Sequence, residues 1–258
     1  MDDVGDPIGT VAECRRYPVK SLQGLVVDRL DVGTGRVEGD RRFALVDTER
    51  GHLLSAKRTS ALLQASADDD AITLPDGTIV RFEATDADGV LSAWLGRPVH
   101  LAGIDEAGER SFEMTFDPPN DDAEYYEIPA AAGTFLDSHA VHLVTTSTLD
   151  HVRSQRPDLD WDVRRFRPNL VLDVDGPPFI EQEWLGAQIG VGAAVLSVDS
   201  PTVRCAMPLR AQPGGLEREP TLFKAMSDLN ETFPNHLGVY CSVVTPGPVA
   251  VADGVRLG

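Results

Sequence analysis

The segment Ser200-Pro-Thr-Val-Arg-Cys-Ala-Met-Pro208 sets one thiol, Cys205, directly after the guanidinium of Arg204, in a stretch bracketed by prolines. A thiol beside a cation is favoured as thiolate, the form that ligates soft metals and attacks electrophiles. The competing reading is that a free cysteine behaves as a small, buried hydrophobe. Residues 193–199 alternate and predict a strand, so Cys205 is expected on a stiff loop at a strand exit.

The other groups suited to chemistry are cations, and they cluster: Arg15, Arg16 and Lys20; Arg41 and Arg42; Lys57 and Arg58; Arg164, Arg165 and Arg167; Arg204. Their background makes them informative, because the formal net charge is −18. Basic clusters kept against such an excess suggest an anionic ligand held by forked guanidinium contacts. The plainer alternative is local pairing with surplus carboxylates. The same charge argues against a nucleic-acid partner or an anionic membrane surface, since both need a basic face. With only three lysines, Lys20, Lys57 and Lys224, the composition also suggests adaptation to a salt-rich cytoplasm. His139 and His142 could mimic a metal pair, but satisfied strand histidines are the ordinary reading.

Positioning these groups falls to 258 residues, enough for one large domain or two modest ones. Many turn residues and short valine-rich runs predict mostly β structure. Strands are expected over residues 8–17, 25–32, 42–47, 138–144, 169–174, 193–199, 238–244 and 249–257. Residues 71–82 read as a hairpin turning at Asp76-Gly77, and 89–96 as a short helix with a glycine stop. Ser147-Thr-Leu-Asp150 resembles a capping box opening a helix to about Arg156. Pro220 suits the first position of a helix through Leu229. Residues 105–132 are polar and irregular, and read as a mobile surface excursion. No apolar run reaches the roughly 20 residues that span a bilayer. The acidic start lacks the features of a signal peptide. Three cysteines without a CxxC spacing fit a reducing cytoplasm better than a disulfide framework or zinc site.

Four motifs in order resemble the MOSC family, the molybdenum-cofactor-binding domains that include the mitochondrial amidoxime-reducing components and their bacterial relatives. Tyr17-Pro-Val-Lys-Ser21 is similar to the opening of the family's N-terminal β-barrel region, and Gly39-Asp-Arg-Arg-Phe-Ala-Leu-Val-Asp47 to the segment after it. Phe166-Arg-Pro-Asn-Leu-Val171 is similar to a strand entry of the second region. Arg204-Cys205 falls where the family carries its metal-ligating cysteine. The resemblance implies a mostly β (α+β) fold: an N-terminal β-barrel region over 6–103, then a MOSC β-barrel over 104–257, with a few short helices. It further implies a molybdenum cofactor (molybdenum on molybdopterin) with Cys205 as metal ligand and Arg204 beside it as a catalytic candidate. Lys20, Ser21, Arg42, Arg167 and Asn169 are then expected to hold the cofactor, with Ser138 as a further candidate. Lys57, near another family-like position, is expected to face solvent.

The chain departs from the family after Cys205, where Ala206-Met-Pro208 replaces Thr-Thr-Val-type residues in a stretch expected to line the substrate pocket. No iron–sulfur signature is present, so electrons are expected from a separate ferredoxin- or flavoprotein-like donor. The implied function is a molybdenum oxidoreductase reducing N-hydroxylated (amidoxime-like), N-oxide or S-oxide small molecules. A cofactor or sulfur carrier with a persulfide on Cys205 is the second reading, and a metal-free binding barrel the third.

Overall fold

The computed structural model describes residues 5–258. The start of the chain forms β1 (Asp6–Arg16), where a register shift between Val11 and Glu13 leaves both Val11 and Cys14 fully buried. β2 (Leu25–Val27) folds back on its end, and β3 (Arg29–Val32) follows. β4 (Phe43–Asp47) leads to a small sheet of β5 (Ser66–Ala67), β6 (Ala71–Thr73) and β7 (Ile79–Arg81). The expected hairpin is β6–β7: Gly77 takes the left-handed φ of +87° its turn requires, and the Asp76 carboxylate accepts from the Thr78 amide at 2.9 Å. α1 (Ala87–Leu95) stops at Gly96, also left-handed, and β8 (Val99–Gly103) pairs antiparallel with β4.

The region read as irregular contains a hairpin, β9 (Ser111–Met114) against β10 (Tyr126–Pro129). Its connection is tied down by charge. Asp121 accepts from Arg210 at 2.5 Å and Arg218 at 2.8 Å, and the Tyr125 hydroxyl donates to the Lys57 carbonyl at 3.1 Å.

β11 (Val141–Thr145) runs straight into α2 (Thr146–Gln155), so the helix is capped by Thr145, two residues before the expected Ser147; its Oγ1 accepts from the Thr148 amide at 3.3 Å. β12 (Leu170–Val174), α3 (Ile180–Glu183), β13 (Gln188–Val191) and β14 (Ala194–Val203) follow. After the cysteine loop come α4 (Thr221–Leu229), β15 (His236–Thr245), β16 (Gly247–Ala250) and β17 (Gly254–Leu257).

Seven strands close a barrel in the order β12, β11, β15, β14, β13, β17, β1, with β1 returning to β12 from Gly9↔Val174 to Cys14↔Leu170. Closure removes the free edges a sheet of this length would otherwise expose. Leu143, Leu172, Ile189, Leu196, Val239 and Val255 fill the interior, all fully buried. The first strand of the N-terminal region is thus a stave of the main barrel, and the two expected regions interlock. The rest of that region builds its own core around Leu22, Leu45, Leu62 and Ile72, against which Met207 and Cys205 pack. Among the described residues no helix is long and apolar enough to cross a membrane.

Candidate active site

A cleft opens where β14 ends, at the junction of the barrel with the N-terminal region, and Cys205 lines it. Cys205 is partly buried, whereas Cys14 and Cys241 are sealed in the barrel. Burial pushes the Cys14 thiol up to about 11 and that of Cys241 higher still, so neither is a nucleophile or ligand.

The Pro18–Ser21 turn carries Lys20 into the cleft wall with 5% exposure. Its ammonium donates to the Phe135 carbonyl at 2.9 Å and to the Asp137 carboxylate. Burial pulls Lys20 below the usual lysine range, against the attraction of Asp137. The second oxygen of Asp137 meets Lys57 at 3.2 Å. Lys57 was expected in solvent; it is 6% exposed, with its ammonium 4.1 Å from the centroid of the Phe112 ring. Burial opposes its charge, but Asp137 and Cys205 outweigh that and hold Lys57 above the ordinary lysine range. The two ammonium groups hold the Asp137 carboxyl far below its ordinary range, against the desolvation it meets in the cleft wall.

Two guanidiniums lie over the Tyr17 ring, Arg41 at 4.6 Å and Arg167 at 4.2 Å from its centroid. Both residues are left-handed, with φ of +44° and +57°, a strained setting for side chains of this size. Buried Asp40 supports the arrangement, pairing with Arg41 and accepting from the Tyr17 amide at 2.7 Å. Arg167 donates to the Leu22 carbonyl at 2.5 Å; burial and the neighbouring Arg41 draw it down to about 10. The kink at Arg41 corrects one expectation. Arg41 lines the cleft, while Arg42 is exposed outside it with its guanidinium 4.9 Å from the Phe43 ring.

Ser21 and Asn169 both line the cleft, yet their polar atoms hold backbone. The Ser21 hydroxyl accepts from the Ala56 amide at 3.1 Å. Asn169 accepts from the His142 amide at 3.2 Å and donates to the Arg15 carbonyl at 3.3 Å, stitching β11 to β1. Arg204 donates to the Phe166 carbonyl at 2.7 Å, and its buried Nε has no partner. Ser138 stands exposed at the mouth, 2.6 Å from the ring nitrogen Nδ1 of His139.

Sequence reasoning missed Tyr240, Phe135 and Asp137 as lining residues, while Met207 lines the cleft from the Ala206-Met-Pro208 stretch that the sequence reading placed at a pocket. Tyr240 sits against both histidines, stacked on His139 at 5.2 Å and tilted to His142 at 5.5 Å. His142 is buried with Nε2 unpartnered; burial, then Arg204, holds it far below the imidazole range, so it is neutral. The backbone of Gly238 fits against that ring, where a Cβ would come within 2.6 Å of Nε2.

The cleft therefore joins a soft sulfur donor to Lys20, Arg41, Arg167 and Arg204, against one lining carboxylate, Asp137. Among the described residues no group of three or more His, Cys, Asp and Glu side chains could hold a metal ion. A metal at Cys205 would need further ligands from a cofactor. The excess of buried donors, with Arg204 Nε unpartnered, suits an anionic cofactor, and the donor set fits a molybdopterin-type group.

The fold and cleft define a class, a closed β-barrel joined to a β-rich N-terminal region with a single thiol at the junction. Residues 8–102 match the MOSC N-terminal beta barrel domain and residues 131–256 the MOSC domain, and the chain belongs to the MOSC family. Among solved structures, it is similar to the YUAD protein from Bacillus subtilis at 10% identity and a TM-score of 0.44, covering 96% of this chain and 93% of that one. It is also similar to YiiM from Geobacillus stearothermophilus (15% identity, TM-score 0.37, 59% and 73% covered). YiiM from Escherichia coli is a third (16%, 0.32, 46% and 54%). No curated protein matches the chain.

Proposed function

We propose that the chain binds a molybdenum cofactor through Cys205 and reduces N-hydroxylated, amidoxime-like or N-oxide/S-oxide small molecules. Electrons would come from a separate ferredoxin- or flavoprotein-like protein. The observation that carries this reading is that the one accessible thiol of a chain of net charge −18 lies in a cleft lined by four cationic side chains. Bound there, the cofactor supplies two-electron redox chemistry at a metal able to accept oxygen. The protein supplies the rest. Cys205 is the ligand, and Arg204 beside it adds positive charge at the sulfur. Lys20, Arg41 and Arg167 neutralise the cofactor's anionic groups, the two arginines held over Tyr17. Ser21 and Asn169 fix the loops that carry these cations, and Ser138 faces whatever enters the mouth. Three free thiols suit a reducing cytoplasm.

The test is molybdenum per chain, for wild type and Cys205→Ala, on protein from a cofactor-competent host, followed by an amidoxime reductase assay with a chemical reductant. Near-stoichiometric metal in wild type, little in the variant, and reductase turnover support the proposal. Substoichiometric metal with cyanolysable sulfur on Cys205 supports a carrier instead. Folded wild type without metal or sulfur refutes both.

A further inference from the structure

Removing the oxygen of an N-hydroxyl group breaks the N–O bond, takes up two electrons and two protons, and leaves N–H and one water. The electrons come from the redox partner; the protons must enter through the protein. The groups on the cleft floor are poor sources. Lys20 and Lys57 are buried and bound to Asp137, the guanidiniums stay charged, and His142 is buried and neutral.

One group has the right placement. His139 lines the cleft at its mouth, with its side chain 30% exposed. Its Nδ1 lies 2.6 Å from the Ser138 hydroxyl, which also lines the cleft. Its Nε2 faces outward to Asp199 of β14 at 3.7 Å, and that carboxylate reaches solvent. The ring is held flat against Tyr240 of β15, with an interplanar angle of 13°. The charged and titratable groups around it are thus Asp199 and Tyr240 from the packed strands and Asp137 on its own loop, with Arg204 and His142 deeper in the cleft.

We infer that His139 is the proton-delivery residue of this site, passing a proton from Nδ1 through the Ser138 hydroxyl to the departing oxygen, with Asp199 beside Nε2 favouring the protonated ring. This rests on the reductase reading above. Ser138 is then a proton conduit rather than a cofactor anchor, and the neutral ring left behind keeps its proton on Nε2 beside Asp199 and regains one at Nδ1 from solvent reaching the exposed Ser138 hydroxyl. Imidazole is the side chain suited to gaining and losing a proton near neutrality.

The test has three arms. In the metal-free chain, ring-nitrogen NMR of His139 should shift at Nδ1 on Ser138→Ala; an unmoved resonance means the hydrogen bond is absent and overturns the relay. In the loaded protein, His139→Ala should keep the wild-type molybdenum content and lose about 10²-fold in turnover, the scale of general acid catalysis. Added imidazole should restore a good part of that loss. Metal lost with His139→Ala makes the residue a cofactor anchor, and full turnover in the variant makes it a bystander; either overturns the inference while the reductase reading stands. Wild type that binds molybdenum and reduces nothing refutes the reading itself, and the relay with it.

Discussion

Asp137→Asn should move stability and anion binding in opposite directions. The carboxylate neutralises two ammonium groups, Lys20 and Lys57, that are 5% and 6% exposed. Breaking a fully buried ion pair by deleting one partner costs roughly 3–5 kcal/mol. Here the carboxylate is itself 38% exposed, so solvent screens it, and an exposed pair is worth at most about 1 kcal/mol. Asparagine can still accept from Lys20, and both lysines keep the Phe112 ring beside them. The expected loss is therefore intermediate, about 1–2 kcal/mol. It should appear in urea titrations as a lower midpoint at unchanged slope. The pH dependence has a fixed sign. Asp137 titrates far below its unfolded value, so its contribution is complete above about pH 4 and drains away as the solution is acidified. The gap between wild type and variant should narrow as pH falls from about 5 towards 2. Removing the negative charge from the cleft should meanwhile tighten binding of inorganic phosphate to the metal-free chain, about two- to fivefold at low salt, or about 0.5–1 kcal/mol. A variant that loses no stability, or that weakens phosphate binding, would show that Asp137 does not balance the cleft's charge.

Two further outcomes follow from the burial of other groups. Native protein treated with an aromatic disulfide should react at Cys205 within minutes, with Cys14 and Cys241 protected until the barrel unfolds; fast labelling of all three refutes the closed barrel. Glu181 is fully buried, accepts from Thr145 at 2.8 Å and Thr148 at 2.7 Å, and is raised above the usual carboxylate range by burial. Its folded form favours the protonated acid, so the stability it adds is complete below about pH 4 and is lost as pH rises through the folded value. Glu181→Gln keeps an acceptor for both hydroxyls. The variant should gain about 1 kcal/mol on wild type between acid and neutral pH by thermal melts, and a pH-independent difference would refute the reasoning.

The local signals were legible where chemistry is local. Asp76-Gly77 specified its hairpin and Gly96 its helix stop, because each position needs a backbone conformation that side chains resist. Val11 and Cys14, three residues apart, are both buried in the barrel because a bulge between Val11 and Glu13 interrupts the strand period, which the sequence did not announce. Arg41 and Arg42 mark where that logic fails: alternation cannot foresee a left-handed residue, and the kink at Arg41 decides which guanidinium faces the cleft. Lys57 looked exposed because its partner Asp137 lies in a distant part of the chain, in a loop with no period of its own. Likewise Ser111-Phe-Glu-Met and Tyr126-Glu-Ile-Pro are too short to announce the hairpin they form. Tyr240 could have been suspected only as an inward or outward residue of a strand; that it shelves two histidines depends on how β11 and β15 register.

The seam where β1 meets β17, from Asp6↔Leu257 to Thr10↔Gly254, joins segments nearly the whole chain apart. Such a pairing is the slowest kind to find, because the loop it closes is long and its reward comes only at the end. During synthesis β1 emerges long before β17 and waits with that edge unpaired until β17 has followed. Until then the barrel is an open sheet, its rim free to recruit a neighbouring chain. Maturation is thereby ordered in time: the barrel that carries Cys205 and its distant cationic neighbours closes only once β17 has been made. Mutations that weaken β17 would then act as defects of assembly, lowering the yield of competent protein while sparing the properties of the molecules that do close.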